Sequence, residues 1–385
     1  MANQKRLRLG VVGLGRRAIS LMRLYKMHPN WEIKAICDQA LPLVQSAATT
    51  LNLPDVACFT SYETMVKQTP LDALFIAVNP DIQTELACDA MEKGIHVTTE
   101  VPAAYTIKQC RDLVNTVEKT GAIYQLCEQT RYWGFIQEWK RMANAGEFGK
   151  VLFMEGEYMH YEPEWKFWVD PDTGETFGGP IPPEGRNTVP TWRNRTFIHP
   201  IYYLPHELSP LLSIIDDRVV KVSCMGTKSS SYHFEGFPAR DLEVALMHTE
   251  KDTIMRLAVG FTSPHPPRKK ISAHWYQVKG TKCTVEWSRT DKDEPKMWKA
   301  SDGLWQDMDW TPEIRESADH IKASGHGGAD WWPVDSFAKA ILNNEPVPMD
   351  VYKAVETAAP AILAAESSEK GGVLLHVPDF RTNKK

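Results

Sequence analysis

From residue 7 to residue 127 the chain alternates short, nearly continuous apolar runs with longer stretches in which apolar residues recur every three or four positions. The first pattern reads as strand buried on both faces, the second as helix with one buried face. Strands are expected at Leu7–Val12, Trp31–Cys37, Val56–Phe59, Leu71–Val78, His96–Thr99 and Ala122–Cys127. Helices are expected at Arg16–Met27, Leu41–Leu51, Tyr62–Lys67, Ile82–Lys93 and Ile107–Lys119, the last closed by Gly121. His28-Pro29-Asn30 ends the first helix, since a proline just beyond the periodic stretch cannot continue it. Strict alternation of this kind predicts a parallel sheet with helices on both faces.

After Cys127 the pattern changes. A helix at Gly134–Ala145 and a long strand at Lys150–Tyr161 lead into a Pro/Gly-rich stretch from Pro163 to Pro190. Strands follow at Val219–Met225, Ala245–His248, Thr253–Phe261 and Lys270–Val278, and helices at Trp332–Leu342 and Met349–Lys370 close the chain. Strands that recur without intervening helices pair antiparallel. The expected fold is therefore α/β in two domains: residues 1–127 form a doubly wound parallel sheet, and residues 128–385 an α+β domain with a large, open, mainly antiparallel sheet.

Composition narrows the class of protein. Over 385 residues, 43% hydrophobic and 24% charged content are ordinary globular values, which leaves no room for a mainly disordered or fibrous chain. A formal charge of −5 supplies no basic stripe for nucleic acid, and Arg268-Lys269-Lys270, in an expected exposed loop from Pro264 to Lys270, is too short to make one. No secretory h-region follows Met1–Lys5 and no apolar run reaches the length of a membrane span, so a cytoplasmic location is expected. The seven cysteines are scattered without C-x-x-C spacing, as reduced thiols are, and suggest neither zinc nor disulfides. Tryptophan is unusually frequent, with 13 residues, all but Trp31 beyond residue 128.

Gly13-x-Gly15-Arg16-Arg17-Ala18 lies between the first strand and the first helix, where the G-x-G-x-x-A fingerprint of a Rossmann dinucleotide site belongs. Gly13 permits the tight turn, Gly15 lets backbone approach a pyrophosphate, and Ala18 allows close helix–sheet packing. The helix N-terminus then faces the phosphates. Asp38 ends the second strand at the place of the ribose-binding acid and, with Gln39 after it, would repel a 2′-phosphate. NAD is the expected cofactor. Arg16 and Arg17 are expected either near its phosphates or in solvent.

Gly13-x-Gly15, Asn79-Pro80, Ala87-x-x-Ala90-Met91-x-x-Gly94-x-His96-Val97, Glu100-Val101-Pro102, Ala145-Gly146-Glu147-Phe148-Gly149-Lys150-Val151, Gly327-Gly328-x-Asp330 and Val377-Pro378-Asp379-Phe380 together resemble the Gfo/Idh/MocA oxidoreductase family over essentially the whole chain. Sugar dehydrogenases of that family carry Glu-Lys-Pro, with a lysine that handles the substrate hydroxyl proton, where this chain has Val101. Glu100-Val101-Pro102-Ala103-Ala104 is instead similar to the NAD-dependent glycosidases of glycoside hydrolase family 109, as are Glu128-Gln129, Trp192-Arg193, Tyr203-x-x-His206-x-Leu208-x-Pro210 and His326-Gly327-Gly328-x-Asp330. The chain departs from the wider family at Gln83, where histidine is common.

The resemblance implies a redox-neutral hydrolysis. Hydride leaves sugar C3, the ketone acidifies the C2 proton, the C1 substituent is eliminated, water adds, and the hydride returns. A proton beside a ketone is within reach of a side-chain base, so the paired carboxylates of an ordinary glycosidase are not required. By resemblance Tyr203 is the base at C2 and His206 the group at the C3 hydroxyl, three residues apart and so able to share a face of a helical turn. His326 ranks third, as an acid for the leaving group or a ligand of a sugar hydroxyl. Asn79, Glu100, Pro102 and Glu128 are placed at the cofactor, with Glu128 near the nicotinamide ribose or the substrate. Arg131, Trp133, Trp192, Arg193 and Arg195 are candidates for a sugar pocket, and an anionic sugar is expected if the arginines face it. Trp133 and Trp192 are the expected pocket walls, ahead of Trp331 and Trp332.

Two other readings compete: an NAD-linked sugar or polyol dehydrogenase, and a non-catalytic NAD-sensing scaffold on the same fold. The open sheet expected of the family implies a homo-oligomer.

Overall fold

The computed structural model describes residues 6–162, 165–196, 198–264, 268, 271, 273–311 and 318–381. Met1–Lys5, Pro163, His265–Pro267, Lys269, Lys270 and the side chain of Arg195 lie outside the described residues. The chain divides into two compact units. The first combines the N-terminal residues up to Cys127 with Trp165–Arg195 and Asp330–Val355, and the second holds Glu128–Glu164, Thr196–Ala329 and Glu356 onward.

In the first unit, β1 (Leu7–Val12), α1 (Arg16–Met27), β2 (Trp31–Cys37), α2 (Leu41–Thr50), β3 (Ala57–Phe59), α3 (Tyr62–Gln68), β4 (Ala73–Ile76), α4 (Pro80–Glu92), β5 (His96–Thr99), α5 (Ile107–Thr120) and β6 (Tyr124–Leu126) follow one another without exception. The six strands form one sheet in the order β3-β2-β1-β4-β5-β6, and every pair is parallel. Order reverses at β1, which is where a doubly wound sheet opens a crevice beyond its strand ends. Local chemistry sets the helix limits. Thr106 and Gln109 form a reciprocal capping box at the start of α5, and Gly121, at φ +68°, ends it in the left-handed region.

Trp31 is fully buried in this core. Its indole N–H donates to the Val334 carbonyl at 3.0 Å and its ring stacks on Phe337, with centroids 5.5 Å apart. Both partners lie on the helix Trp331–Asn343. The Gln125 amide likewise donates to the Pro333 carbonyl at 2.7 Å. The Pro/Gly-rich stretch folds where no strands were foreseen, as a three-stranded sheet of Lys166–Val169, Thr176–Gly178 and Val189–Pro190. Trp31, Trp165, Trp168, Trp192, Trp331 and Trp332 all belong to this unit, so tryptophan is not confined to the other one.

The second unit is built on a nine-stranded sheet. From one edge the strands are Trp305–Asp307, Lys296–Lys299, Cys283–Glu286, His274–Gly280, Val151–Met159, Ile254–Gly260, Leu242–Thr249, Val219–Gly226 and Leu375–His376. All pairs are antiparallel except Val151–Met159 with Ile254–Gly260. The three strands at the first edge and the one at the last were not anticipated. One face of Val151–Met159 packs against the helix Pro205–Ile215, whose residues are buried almost without exception. No described helix is long and apolar enough to cross a membrane.

Candidate active site

In the first unit the turn from β1 to α1 is shaped for a ligand. Gly13 stands at φ +88°, and a Cβ there would lie 2.3 Å from the Ala77 carbonyl oxygen, so only glycine fits. Gly15 caps α1 in ordinary extended backbone, and a Cβ there would meet nothing within 4 Å. The loop therefore leaves open the space a pyrophosphate needs at the helix N-terminus. Asp38, half-buried, accepts the Leu14 N–H at 2.8 Å and the Ala40 N–H at 3.0 Å, which fixes the loop against the end of β2. Ala18 is buried beneath it and Arg16 is exposed.

Arg17 is partly buried and pairs with carboxylates. Its guanidinium donates to Asp330 Oδ2 and Oδ1 at 2.8 and 3.0 Å and to Glu100 Oε1 at 3.0 Å. Burial opposes its charge, but the two carboxylates outweigh that and hold its proton more tightly than in free arginine. Glu100, expected at the cofactor ribose, thus faces an arginine. Asn79 stands at the N-terminus of α4, with its carbonyl accepting from Ile82 and Gln83. Gln83 is buried and donates to the Glu100 and Pro102 carbonyls at 2.6 and 2.9 Å, on either side of the cis Val101-Pro102 peptide.

In the second unit the sequence-predicted pair Tyr203 and His206 is brought together. Tyr203 ends the 3-10 turn Pro200–Tyr203, and His206 opens the helix Pro205–Ile215. Their rings lie 5.7 Å apart. Glu128 stands beside them, fully buried. Its Oε2 is 2.9 Å from His206 Nδ1, and its Oε1 accepts the Thr130 N–H and hydroxyl at 2.9 and 2.8 Å. Burial pushes this carboxyl up, but the His206 ring and the Thr130 donors outweigh burial and hold it below the usual carboxylate range. Glu128 was expected at the nicotinamide ribose or substrate; its Oε1 accepts from Thr130 and its Oε2 lies at ion-pair distance from His206.

Four residues of this cluster were missed. Tyr158 stacks on Tyr203 with centroids 5.8 Å apart and lies within ring contact of His206 and His274. Burial raises its phenol well above the ordinary value. Behind it, Glu207 Oε1 is 2.5 Å from His274 Nδ1, and the Tyr276 hydroxyl lies 3.1 Å from the His206 carbonyl oxygen. Nothing in the local sequence marks them, because the strand pair that sets Tyr158 opposite His274 joins distant segments.

Several pocket candidates are placed differently from expectation. Trp133 is buried, donates to the His326 carbonyl at 2.9 Å and packs edge-on against His274, so it belongs to the core and is not a pocket wall. Trp331 is buried against His28. Arg131 is buried in the turn Thr130–Tyr132. Arg268, expected in an exposed loop, is buried and bonded to Glu157 at 2.5 Å and to the Ala273 carbonyl at 3.2 Å. His326 is exposed at φ +54°, and the Arg193 guanidinium lies over the Trp192 ring at 4.5 Å.

Residues 7–127 match the oxidoreductase family with an NAD-binding Rossmann fold, and residues 139–385 match the C-terminal domain of glycosyl hydrolase 109. The chain belongs to glycosyl hydrolase family 109. Family 109 proteins from Saccharopolyspora erythraea and Streptomyces filamentosus are 26% and 28% identical to it, over 97% of this chain and 83% and 77% of theirs. Among solved structures, an oxidoreductase from Agrobacterium radiobacter in complex with NAD+, L-tartaric acid and magnesium superposes with a TM-score of 0.75 at 13% identity, covering 97% of this chain and 99% of that one. Scyllo-inositol dehydrogenase from Lactobacillus casei with bound NAD(H) and scyllo-inositol gives 0.71 at 15%, with 97% and 99% covered. These structures share the fold. This family 109 chain is an enzyme with an NAD-binding domain, and the open Gly15 turn and Asp38 suit that cofactor.

Proposed function

We propose that this enzyme is a redox-neutral glycosidase, and the observation that carries the reading is the buried Glu128–His206 pair beside Tyr203. The Gly13–Ala18 turn and Asp38 would hold NAD. When bound, NAD supplies an acceptor and donor of hydride for sugar C3. Glu128 Oε2, 2.9 Å from His206 Nδ1, favours the tautomer that keeps its proton on Nδ1 and leaves a free lone pair on Nε2. That nitrogen takes the C3 hydroxyl proton as the carbon is oxidised and returns it on reduction. Tyr203 removes the C2 proton, the aglycone leaves C1, water adds at C1, and Tyr203 returns a proton to C2. Val101, without a titratable group, leaves proton handling to these two side chains. In this reading His326 serves the leaving group or a sugar hydroxyl, Trp192 and Arg193 contact the sugar, and Arg131 supports the turn that carries Glu128.

A plain dehydrogenase needs one proton acceptor at the oxidised carbon; here two such groups stand side by side. Aryl glycosides with catalytic NAD test the reading. Release of aglycone without accumulating NADH, with solvent deuterium appearing at sugar C2, is expected. Steady NADH production without aglycone would overturn it in favour of a sugar dehydrogenase. The open sheet exposes Met225, Leu246 and Ile254 on one face, which supports self-association into a homo-oligomer, checked by sedimentation.

A further inference from the structure

Directly after His206 the chain places an acid with no solvent and too few donors. Glu207 is fully buried in the first turn of the helix Pro205–Ile215. Room is made for it by Gly156 on the neighbouring strand, where a Cβ would lie 3.1 Å from both Cβ and Cγ of Glu207. Its Oε1 faces His274 Nδ1 at 2.5 Å and the Tyr276 hydroxyl at 3.3 Å, while its Oε2 is enclosed with no hydrogen-bond partner. The Tyr276 hydroxyl is also 3.1 Å from the His206 carbonyl oxygen, which lies 2.8 Å from the Thr130 hydroxyl oxygen, whose one proton goes to Glu128.

The proton count decides between two states of this cluster. An ionised Glu207 would leave one charged oxygen buried without a donor, a costly arrangement. A neutral acid leaves only a carbonyl-type oxygen there. Its proton then fits the short contact to His274 Nδ1, and the single Tyr276 proton remains for the His206 carbonyl. We infer that Glu207 is a positioning residue for His206: as a neutral carboxylic acid it donates to His274 Nδ1, and so commits the Tyr276 hydroxyl to the backbone of His206. This rests on the reading that His206 exchanges a substrate proton. Glu128 orients the ring of that histidine; Glu207, through Tyr276, fixes the main chain that carries it.

The surroundings agree. Glu128, Glu157 and Arg268 face Glu207, and His206, His326, His160 and Arg268 face His274. Burial and the Glu128 charge push the Glu207 carboxyl well up, and burial with the neighbouring imidazoles holds His274 well below the usual imidazole range. Both members of this second pair are neutral, whereas the Glu128 carboxyl is held in its charged form.

Difference infrared spectroscopy on the full-length protein, comparing wild type with Glu207→Gln at neutral pH, needs no substrate. A carboxylic-acid carbonyl band lost in the variant is expected; loss of a carboxylate band instead overturns the inference and leaves the proposed reaction untouched. Nitrogen NMR should find His274 neutral, protonated on Nε2, between about pH 5 and 8. Once an active glycoside is in hand, Glu207→Leu should lower kcat about 100-fold with KM little changed, and Glu207→Gln, whose amide also donates to Nδ1, should restore all but a few-fold of it. Equal losses in the two variants would likewise overturn the inference.

Discussion

Arg17 and Asp330 are joined by two hydrogen bonds, Nη1 to Oδ2 at 2.8 Å and Nη2 to Oδ1 at 3.0 Å, although 313 residues separate them in sequence. Asp330 is almost wholly buried, with a side-chain exposure of 1%, so the arginine is its means of staying charged there. Breaking such a pair from one side weakens the support of the charge that is left, although Arg17 keeps its bond to Glu100. Arg17→Ala and Asp330→Leu should each lower stability by about 2–4 kcal/mol, measured by urea unfolding. The double variant should lose clearly less than the sum, because neither charge is then left alone. Additive losses would show that the pair is not coupled.

The two glycines of the nucleotide turn should fail in different ways. Gly13→Ala forces a Cβ against the Ala77 carbonyl at a positive φ, and should cost about 2 kcal/mol or more in folding stability. Gly15→Ala meets no protein atom, and should leave stability within about 0.5 kcal/mol of wild type. Its methyl group would occupy the approach to the pyrophosphate, so NAD affinity should weaken about tenfold or more by calorimetry. Unchanged NAD affinity in Gly15→Ala would count against the assigned phosphate site.

Glu128→Gln keeps the shape of its side chain but no longer selects the His206 tautomer. On an active glycoside kcat should fall about 10²- to 10⁴-fold with a small change in KM, as when the acid behind a catalytic imidazole is amidated. The pH dependence of folding has a defined sign as well. The Glu128 carboxyl is held below its unfolded value, so its contribution is present above the ordinary carboxylate range and is lost as pH falls through the lowered value. Acid unfolding of Glu128→Gln should therefore begin at lower pH, relative to its own neutral-pH stability, than that of wild type.

Glu207 works in the opposite direction. Its folded form holds a proton that the unfolded chain gives up in the ordinary carboxylate range. The stability it contributes is complete below that range and is lost as pH rises toward its raised value, at up to about 1.4 kcal/mol per pH unit. Glu207→Gln removes this dependence. Thermal denaturation from mildly acidic to mildly alkaline pH should show the variant gaining on wild type as pH rises, and parallel curves would contradict the neutral-acid assignment.

The nucleotide-binding part was legible because each of its elements carries its own signal. Leu7–Val12 and Trp31–Cys37 are apolar runs bounded by turn residues, and Gly121 marks where α5 stops. Strands such as Lys296–Lys299 and Trp305–Asp307 give no such signal: they are short, at or next to the sheet edge and half exposed, and only pairing with neighbours makes them strands. The site divides similarly. Tyr203, His206 and Glu128 were singled out through local motifs, and the fold brings them side by side. His274, Tyr276, Tyr158 and Glu207 carry no motif, since their meeting depends on the register Tyr158 opposite His274. Trp133 was misplaced because a tryptophan beside site residues reads alike whether it faces a sugar or supports the turn of His326 from within.

The helix Trp331–Asn343 has a bearing on the order in which the molecule is made. A ribosome releasing this chain exposes all six strands of the parallel sheet long before the carbonyl that Trp31 bonds and the ring it stacks on have been synthesised. Until residues 330–355 emerge, the indole N–H of Trp31 and the carboxamide of Gln125 lack their acceptors, and a sticky apolar face stays uncovered. A nascent chain stalled before Asp330 is thus a client for chaperones, and a fragment cut at Cys127 should be prone to aggregate even though it contains the whole dinucleotide fingerprint.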